Sequence, residues 1–326
     1  MYPSPPKRVL LLLQMCKAKL EALINWAKSK GAELDPTFEF QLINDSKGYG
    51  AVALEDMKAS DENNVNVMFS TPICIEISSD NIKSDPYFQE VAQYSDRLSN
   101  TELVILALCV EKRKGESSTF WPYVDYLPDK LNLGPMNIDL TEFPVDMRKE
   151  YVVDCISKRR SLRNISNNVK SFHFNEEEIE WAYNIVHSRS LIDKDNVTLQ
   201  PVADLFNASQ EPKVSLKTQC STKTERERKY YNLGLIIADV KKGDELCISY
   251  DNSLNNVCLW FKHGFTFENN ENNRGMAIEA DEVRSLLKSV NLGSIEIPDG
   301  IFCIIENRRT SAAMEKCFKK ISKASE

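Results

Sequence analysis

The sequence predicts an α+β fold, a β-rich body that a helical insert interrupts, with helical segments at both ends. Turn-bounded extended stretches lie before residue 80 and again between residues 197 and 250. Between them, apolar residues recur at helical spacing. The chain has 326 residues, of which 42% are hydrophobic and 27% charged. A sizeable core and two or three domains are therefore expected.

A helix and three extended segments open the chain. Four apolar residues at helical spacing predict a helix over residues 8–30, which Gly31 ends. Strands are predicted over 39–43 and 49–54, joined by a polar turn that contains a glycine, and over 67–77, where Pro72 interrupts the pattern. The apolar residues of the helix are Leu20, Leu23, Ile24 and Ala27.

Two capped helices define the predicted insert. Thr101 is the expected N-cap of a helix over 102–112, and Asn175 of a helix over 176–187, whose three leading glutamates favour the first turn. An aromatic and proline-containing connection, residues 120–128, lies between them. The insert therefore reads as mainly helical.

The second β-rich stretch ends in a predicted strand and a short helix. Leu246, Ile248 and Tyr250 alternate after a glycine turn and predict a strand. A helix is expected over 255–263, ended by Gly264. Further along, apolar stripes over 283–290 and 313–321 predict two helices that are too short to form a core of their own.

Charge and hydropathy argue against two classes of partner. The net charge is -7, from 41 basic and 48 acidic residues. Nucleic-acid-binding domains are usually basic, so no direct nucleic-acid contact is expected. No apolar run approaches the ~20 residues that span a bilayer, so no membrane contact is expected. The apolar run after Arg8 ends too soon for a signal peptide. The cytoplasm is the expected location, with the nucleus as the alternative.

The basic cluster 158–160, with Arg163, bears on that alternative. It is expected to be a solvated helix face rather than a nuclear address.

Metal and disulfide chemistry are not expected. The chain has three histidines and nine cysteines, and no two cysteines have CxxC spacing. Signatures of serine hydrolases, P-loop NTPases, zinc proteases and dinucleotide-binding folds are absent as well.

Four polar features remain, and each has an ordinary structural interpretation. The glycine turn 47–50 can be a plain hairpin or allow close backbone approach to a ligand. The segment 201–207, with Asp and Asn among apolar residues, can be an Asx turn or cap, or a ligand-facing loop. Arg189 can be a helix-end dipole contact, and Tyr250 a packing residue.

The order and spacing of these motifs are more specific than any one of them. Together they resemble the SET-domain protein methyltransferases, in the branch typified by the Rubisco large-subunit lysine methyltransferase, over about residues 15–270. The motifs are Lys47-Gly48-Tyr49-Gly50, Trp121-Pro122-Tyr123, Tyr126-Leu127-Pro128, Ser188-Arg189-Ser190, Pro201 to Asn207, Gly243 to Tyr250, and His263-Gly264-Phe265.

The resemblance implies a fold and a methyl donor. It implies a SET domain over 1–270, made of small curved β-sheets with a knot-like crossing and split by a helical insert at about 85–190. Residues 271–326 would then be a short helical extension, a reduced substrate-binding region. The implied cofactor is S-adenosyl-L-methionine, and no metal is implied.

The resemblance also implies roles for individual residues. The donor-binding positions it implies are Lys47, Gly48, Tyr49, Gly50, Arg189, Asp204, Asn207, Ala208 and Tyr250. Tyr250 would also be the catalytic residue at the methyl-transfer channel, and Phe265 would wall the substrate pocket. Ala208 departs from the family, which usually has histidine there.

The implied activity is S-adenosylmethionine-dependent methylation of a lysine in a non-histone protein, such as a ribosomal protein or translation factor, by a monomer. Alternatives are a non-catalytic SET-like interaction module and a protein-histidine N-methyltransferase. Transfer from a sulfonium to an amine depends mainly on alignment of the reacting atoms. The lysine, with an ordinary pKa near ~10.4, must first lose its proton, and an apolar channel favours the neutral amine.

Overall fold

The structure, a computed structural model, describes residues 7–44, 47–62, 64–131, 133, 145–220, 230–251, 253–268, 270–279 and 301–305. The chain divides into two compact units. The first comprises Met1–Asn132 and Lys158–Asn252, and the second comprises Leu133–Ser157 and Ser253–Glu326. The helices predicted over 283–290 and 313–321 lie outside the described residues.

Along the chain, a run of consecutive helices separates two groups of short strands. The helices are α1 (Lys7–Ser29), α2 (Ser79–Ser84), α3 (Gln89–Ala92), α4 (Asn100–Lys114), α5 (Trp121–Tyr126), α6 (Val145–Asn168), α7 (Glu176–Arg189) and α8 (Asn256–His263). The strands are β1 (Glu33–Leu34), β2 (Phe38–Asn44), β3 (Gly48–Ala53), β4 (Val67–Pro72), β5 (Ile77–Ser78), β6 (Leu191–Asp193), β7 (Asn196–Leu199), β8 (Val214–Cys220), β9 (Tyr230–Ile236), β10 (Glu245–Leu246), β11 (Gly275–Glu279) and β12 (Ile301–Ile305).

The strands of the first unit form three small antiparallel sheets. Their orders are β1-β4-β9-β8, β10-β3-β2 and β5-β7-β6. In the second unit, β11 pairs with β12, so the described residues 275–279 and 301–305 of the extension that was expected to be helical form strands. No described helix is long and apolar enough to cross a bilayer.

The N-terminal elements agree with the sequence prediction. Helix α1 and strands β2 and β3 lie within two residues of their predicted bounds. The predicted strand over 67–77 is divided, because Pro72 ends β4 and a 3-10 turn over Ile73–Ile75 precedes β5. Proline lacks the N–H group that would continue the ladder.

The cap of α4 was predicted wrongly, whereas that of α7 is confirmed. Ser99, not Thr101, caps α4. Its hydroxyl accepts a hydrogen bond from the Glu102 N–H, and the Glu102 carboxylate accepts from the Ser99 N–H at 2.9 Å. This reciprocal capping box satisfies two otherwise unpaired donors. Asn175 caps α7 through the same arrangement with Glu178.

The structure adds detail to two further expectations. The connection over 120–128 contains a real helix, α5, whose first turn tolerates Pro122 because a proline there loses no helical hydrogen bond. The basic cluster is not wholly solvated, since Lys158 is buried and donates to Glu180 at 2.6 Å. Arg159, Arg160 and Arg163 are exposed.

The predicted strand over 246–250 also changes partner after two residues. Of this segment, only the residues of β10, Glu245 and Leu246, pair with β3. The Cys247 carbonyl then accepts from the N–H groups of Lys213 and Val214, and Ile248 forms a parallel bridge with Ala208. The alternation of the sequence was real, but the backbone hydrogen bonds of this segment go to residues 207–214.

An aromatic core anchors that segment. Phe206 is fully buried and packs against the rings of Phe38, Phe40 and Phe69, at centroid distances of 5.2–5.9 Å. A Cβ atom at Gly234 would lie 2.2 Å from the Phe69 ring, so only glycine fits beside this cluster. The packing fixes the chain on both sides of Phe206, where several predicted site residues lie.

Candidate functional site

Arg189 and Asp204 form a buried ion pair at the centre of the candidate site. Arg189 is the last residue of α7. Its Nη1 lies 3.2 Å from the Asp204 carbonyl oxygen and 3.4 Å from Asp204 Oδ2. The side chains are 22% and 3% exposed, respectively. Because the pair is shielded from water, removal of either partner would leave the other charge buried and uncompensated.

Tyr123, from α5, is the third member of this group. Its hydroxyl donates to Asp204 Oδ2 at 2.8 Å, and the residue is fully buried. Burial raises the pKa of Asp204, while the Arg189 charge and the Tyr123 hydrogen bond oppose that shift. Burial likewise holds the pKa of Tyr123 well above its ordinary value, and the Asp204 charge adds to the shift.

The backbone before Asp204 is unusual. Val202 has φ +81° and ψ -54°, a strained region for a β-branched residue, and it is fully buried. A 3-10 turn over Ala203–Leu205 follows. The Asp204 carboxylate does not form the Asx turn or cap that was one expectation, because it faces Arg189 and Tyr123 instead.

Two buried polar atoms of this group have no hydrogen-bond partner. They are Arg189 Nε, a donor, and Asp204 Oδ1, an acceptor. Leaving such atoms unpaired costs about 1–3 kcal/mol each. A ligand with both an acceptor and a donor would satisfy them, and the methyl donor that the resemblance implies has both kinds of group.

Tyr250 belongs to the same electrostatic neighbourhood. Its hydroxyl donates to the Phe206 carbonyl at 3.1 Å. Burial raises the pKa of Tyr250 to about 12, with Arg189 opposing the shift and Asp204 adding to it. Tyr126 is similar, since burial also raises its pKa to about 12. Both hydroxyls are therefore neutral at physiological pH and can donate and accept hydrogen bonds.

The glycine turn lies against Asn207 and Glu245. Gly48 has φ +73°, which favours glycine. Asn207 Nδ2 donates to Glu245 Oε1 at 2.7 Å and approaches the Tyr49 carbonyl at 3.4 Å. Protein side chains approach the backbone of this turn closely, and the approach of a ligand there stays a prediction.

Ala208 is held through its main chain. It forms the parallel bridge with Ile248, flanked by hydrogen bonds from the Ile248 N–H to the Asn207 carbonyl and from the Ser209 N–H to the Ile248 carbonyl, both at 3.0 Å. None of these contacts needs a histidine side chain. The position can therefore keep its backbone geometry with alanine.

Phe265 lies in the second unit, just after the left-handed Gly264 that ends α8 as predicted. Its ring packs edge-on against Phe267 at 5.3 Å and tilts toward His263 at 6.0 Å. Its place in a substrate pocket stays a prediction.

Three residues of this neighbourhood had no assigned role at the sequence level. Tyr123 and Tyr126 stood only as parts of a motif, although a buried tyrosine usually needs a hydroxyl partner. Glu245 is 38 residues from Asn207. Nothing local in the sequence signals its contact. Among the described residues, no group of three or more His, Cys, Asp or Glu side chains could hold a metal ion.

Comparison with known proteins supports the fold. No family model matches the chain. A ribosomal lysine N-methyltransferase of Schizosaccharomyces pombe, set11, is 23% identical over 266 residues, which are 78% of this chain and 63% of that protein. The chain thus spans less than two thirds of that relative's length.

Solved structures give a closer match in shape. The SET domain of LSMT bound to lysine and AdoHcy superposes with a TM-score of 0.68 at 20% identity, over 91% of this chain and 69% of that one. Rubisco LSMT bound to AdoMet gives a TM-score of 0.65 at 19% identity, over 90% and 68%. The chain has the SET-domain fold of Rubisco LSMT, and the α+β prediction is confirmed.

Proposed function

We propose that this SET-fold chain is an S-adenosyl-L-methionine-dependent lysine N-methyltransferase that acts on a non-histone protein. The observation on which this rests is the buried Arg189–Asp204 pair with two unpaired polar atoms, beside the neutral hydroxyl of Tyr250. A polar ligand would complete the pair, and the tyrosine supplies a hydrogen-bonding group at its edge. The set11 relative and the LSMT structures support the same activity.

The donor site is proposed around three features of the first unit. When bound, S-adenosylmethionine supplies a methyl group activated on a sulfonium. Arg189 and Asp204 would hold its polar groups, with Asn207 and the main chain of Ala208 beside them. The turn over 47–50 would border the methionine end through backbone groups.

Tyr250 would orient the acceptor amine. Its hydroxyl donates to the Phe206 carbonyl, and a phenol oxygen is by its chemistry also a hydrogen-bond acceptor, the role proposed here toward the amine. With a pKa raised to about 12, the hydroxyl stays neutral and adds no phenolate charge beside the incoming amine. Burial disfavours the ammonium form of the target lysine and so favours the reactive neutral amine.

The substrate proposal is a lysine of the translation machinery. The set11 relative is a ribosomal lysine N-methyltransferase, and an acidic chain of net charge -7 suits a basic target segment. We place the activity in the cytoplasm and in a monomer. Phe265 is proposed to wall the lysine pocket, and the SET region to extend over 1–270 with 271–326 as a short substrate-binding extension.

Ala208 favours the second candidate function, a non-catalytic SET-like module. If a histidine ring were needed for the donor, its loss would abolish turnover. The Ala208 and Ile248 backbone contacts argue against this, because they hold the segment without a ring. Histidine methylation and lysine methylation are distinguished only by identifying which residue of the product carries the methyl group.

The test is methyl transfer from radiolabelled donor to ribosomal proteins, followed by mass spectrometry of the labelled peptide. We expect label on lysine, its loss in Tyr250→Phe and its retention in Tyr230→Phe, a matched change at an exposed tyrosine. Label on histidine would replace the lysine assignment. Donor binding without transfer to any protein fraction would support the non-catalytic module.

A further inference from the structure

We infer that Glu245 is a positioning residue of the donor site, which holds the Asn207 carboxamide with one carboxylate oxygen and the Lys47 ammonium with the other. This inference rests on the proposed function, because it assigns Glu245 a role in donor binding. No motif argument had assigned Glu245 a role.

Both contacts are short and involve different oxygens of one carboxylate. Glu245 Oε1 accepts from Asn207 Nδ2 at 2.7 Å, and Oε2 accepts from Lys47 Nζ at 2.7 Å. The Glu245 side chain is 19% exposed, whereas that of Lys47 is 47% exposed. The carboxylate is therefore the sheltered centre of the arrangement, called here the Glu245 clamp: Lys47, Asn207 and Glu245.

The register of β10 fixes Glu245 beside the glycine turn. Glu245 lies opposite Val52 of β3, two residues after Gly50. A Cβ atom at Gly50 would lie 2.6 Å from Asn207 Nδ2 and 3.0 Å from Glu245 Oε1. A side chain at Gly50 would thus displace the clamp, and this close approach explains why glycine stands there.

The clamp joins three segments that are distant in the chain. Asn207 is held at its main chain by the Ile248 N–H and at its side chain by Glu245. Without Glu245, the Asn207 carboxamide would lose its strongest side-chain contact, leaving only the 3.4 Å approach to the Tyr49 carbonyl. Donor binding that uses Asn207 should weaken accordingly.

Glu245 also balances a charge. Its hydrogen bond raises the pKa of Lys47, and without Glu245 the Lys47 ammonium would lose this negative partner. S-adenosylmethionine carries a sulfonium, whereas S-adenosylhomocysteine is a neutral thioether at that atom. An unpaired Lys47 beside the site should therefore penalise the first ligand more than the second.

The test measures the dissociation constants of both ligands for three variants by calorimetry. For Glu245→Ala, we expect the dissociation constant of S-adenosylhomocysteine to increase about tenfold. The dissociation constant of S-adenosylmethionine should increase by a further two- to threefold. The kcat at saturating donor should change much less. Glu245→Gln keeps an oxygen that can accept from Asn207. This variant should therefore restore the affinity for S-adenosylhomocysteine but not that for S-adenosylmethionine. In Glu245→Ala/Lys47→Met the extra sulfonium penalty should disappear.

Asp239→Ala is the matched control, since it breaks an exposed ion pair with Lys58 of similar length, 2.6 Å. It should leave both dissociation constants unchanged. Unchanged affinities in a folded Glu245→Ala would overturn the inference. So would equal losses for both ligands in Glu245→Ala and Glu245→Gln, in step with their melting temperatures, because that pattern indicates a structural role alone.

A donor-free measurement separates the clamp from the proposed function. If the unmodified chain binds neither ligand, the proposed function fails and the clamp is judged by thermal unfolding. Glu245→Ala and Asn207→Ala should each lower the melting temperature by about 2–4 °C, and the double variant by little more than the larger single change. If the decrease in melting temperature of the double variant equalled the sum of the two single decreases, the coupling of Glu245 with Asn207 would be contradicted.

Discussion

Two buried carboxyl groups in the first unit have different partners. The side chain of Asp204 is 3% exposed, and Glu76 as a whole residue is also 3% exposed. Asp204 faces the Arg189 cation and the Tyr123 hydroxyl, while the side chain of Glu76 accepts from the neutral amide of Asn232. The difference indicates that the Asp204 group is built around charge, whereas the Glu76 pair is a neutral contact of the sheet.

The Glu76 pair closes a polar row across the four-stranded sheet. Asn232 of β9 lies between Thr71 of β4 and Thr218 of β8, and the Thr218 hydroxyl donates to Asn232 at 2.6 Å. Burial raises the pKa of Glu76 to about 8, against the hydrogen bond from Asn232. A neutral amide does not offset the desolvation of a carboxylate, so Glu76 is mostly protonated at neutral pH.

The largest expected effect is a loss of stability when the charged Arg189–Asp204 pair is broken. Asp204→Asn leaves the Arg189 guanidinium without its counter-ion and should lower the free energy of unfolding by about 3 kcal/mol. Chemical denaturation measures it. Glu76→Gln is the matched change and should be near neutral at pH 7. Equal losses in the two variants would remove the distinction between the groups.

Next in size is the effect on turnover. Tyr250→Phe should lower kcat about 10²-fold, because the hydroxyl that orients the amine is lost, and should change the donor dissociation constant only a few-fold. Glu76→Gln should leave kcat unchanged, since its contacts lie within the sheet. Parallel losses of turnover and donor binding in Tyr250→Phe would show that Tyr250 only supports the fold.

The pH dependence of stability tests the neutral Glu76–Asn232 pair. The folded pKa of Glu76, about 8, lies above its ordinary value of 4.5, so the folded state holds the proton more tightly. Its contribution to stability is full below pH 4.5 and is lost progressively as pH rises toward 8. Urea unfolding at pH 5 and pH 8 should show this decline, and Glu76→Gln should reduce it. Glu211→Gln, an exposed control, should not.

The smallest expected effect concerns Ala208. Because Ala208 is held through its main chain, Ala208→His should leave methyl transfer equal or slightly higher. A steady-state assay at saturating substrate measures it. A sharp loss would mean that the surrounding side chains have adjusted to alanine.

Local signals predicted much of the fold. Asn175 begins α7 and Gly264 ends α8 as expected, because an N-cap and a left-handed glycine depend on neighbouring residues alone. Ser99 and Thr101 are both suitable caps by composition, and only the reciprocal contact with Glu102 decides between them. Such a choice depends on the three-dimensional contact and not on the local sequence.

The site was less accessible from sequence. Its residues were identified through a motif resemblance, but the contacts that organise them are long-range. Tyr123 and Asp204 are 81 residues apart, and Lys47 and Glu245 are 198 apart. No periodicity reports such pairs. The same limit explains the strand predicted over 246–250, whose alternation was visible while its partner segment was not.

The most direct test of the donor site is calorimetric titration of the purified chain with S-adenosylmethionine and S-adenosylhomocysteine. One-to-one binding with a micromolar dissociation constant is predicted, together with a large loss in Arg189→Ala, in which the Asp204 partner is removed. Absence of saturable binding at millimolar donor by a folded chain would contradict the proposed donor site and the activity that rests on it.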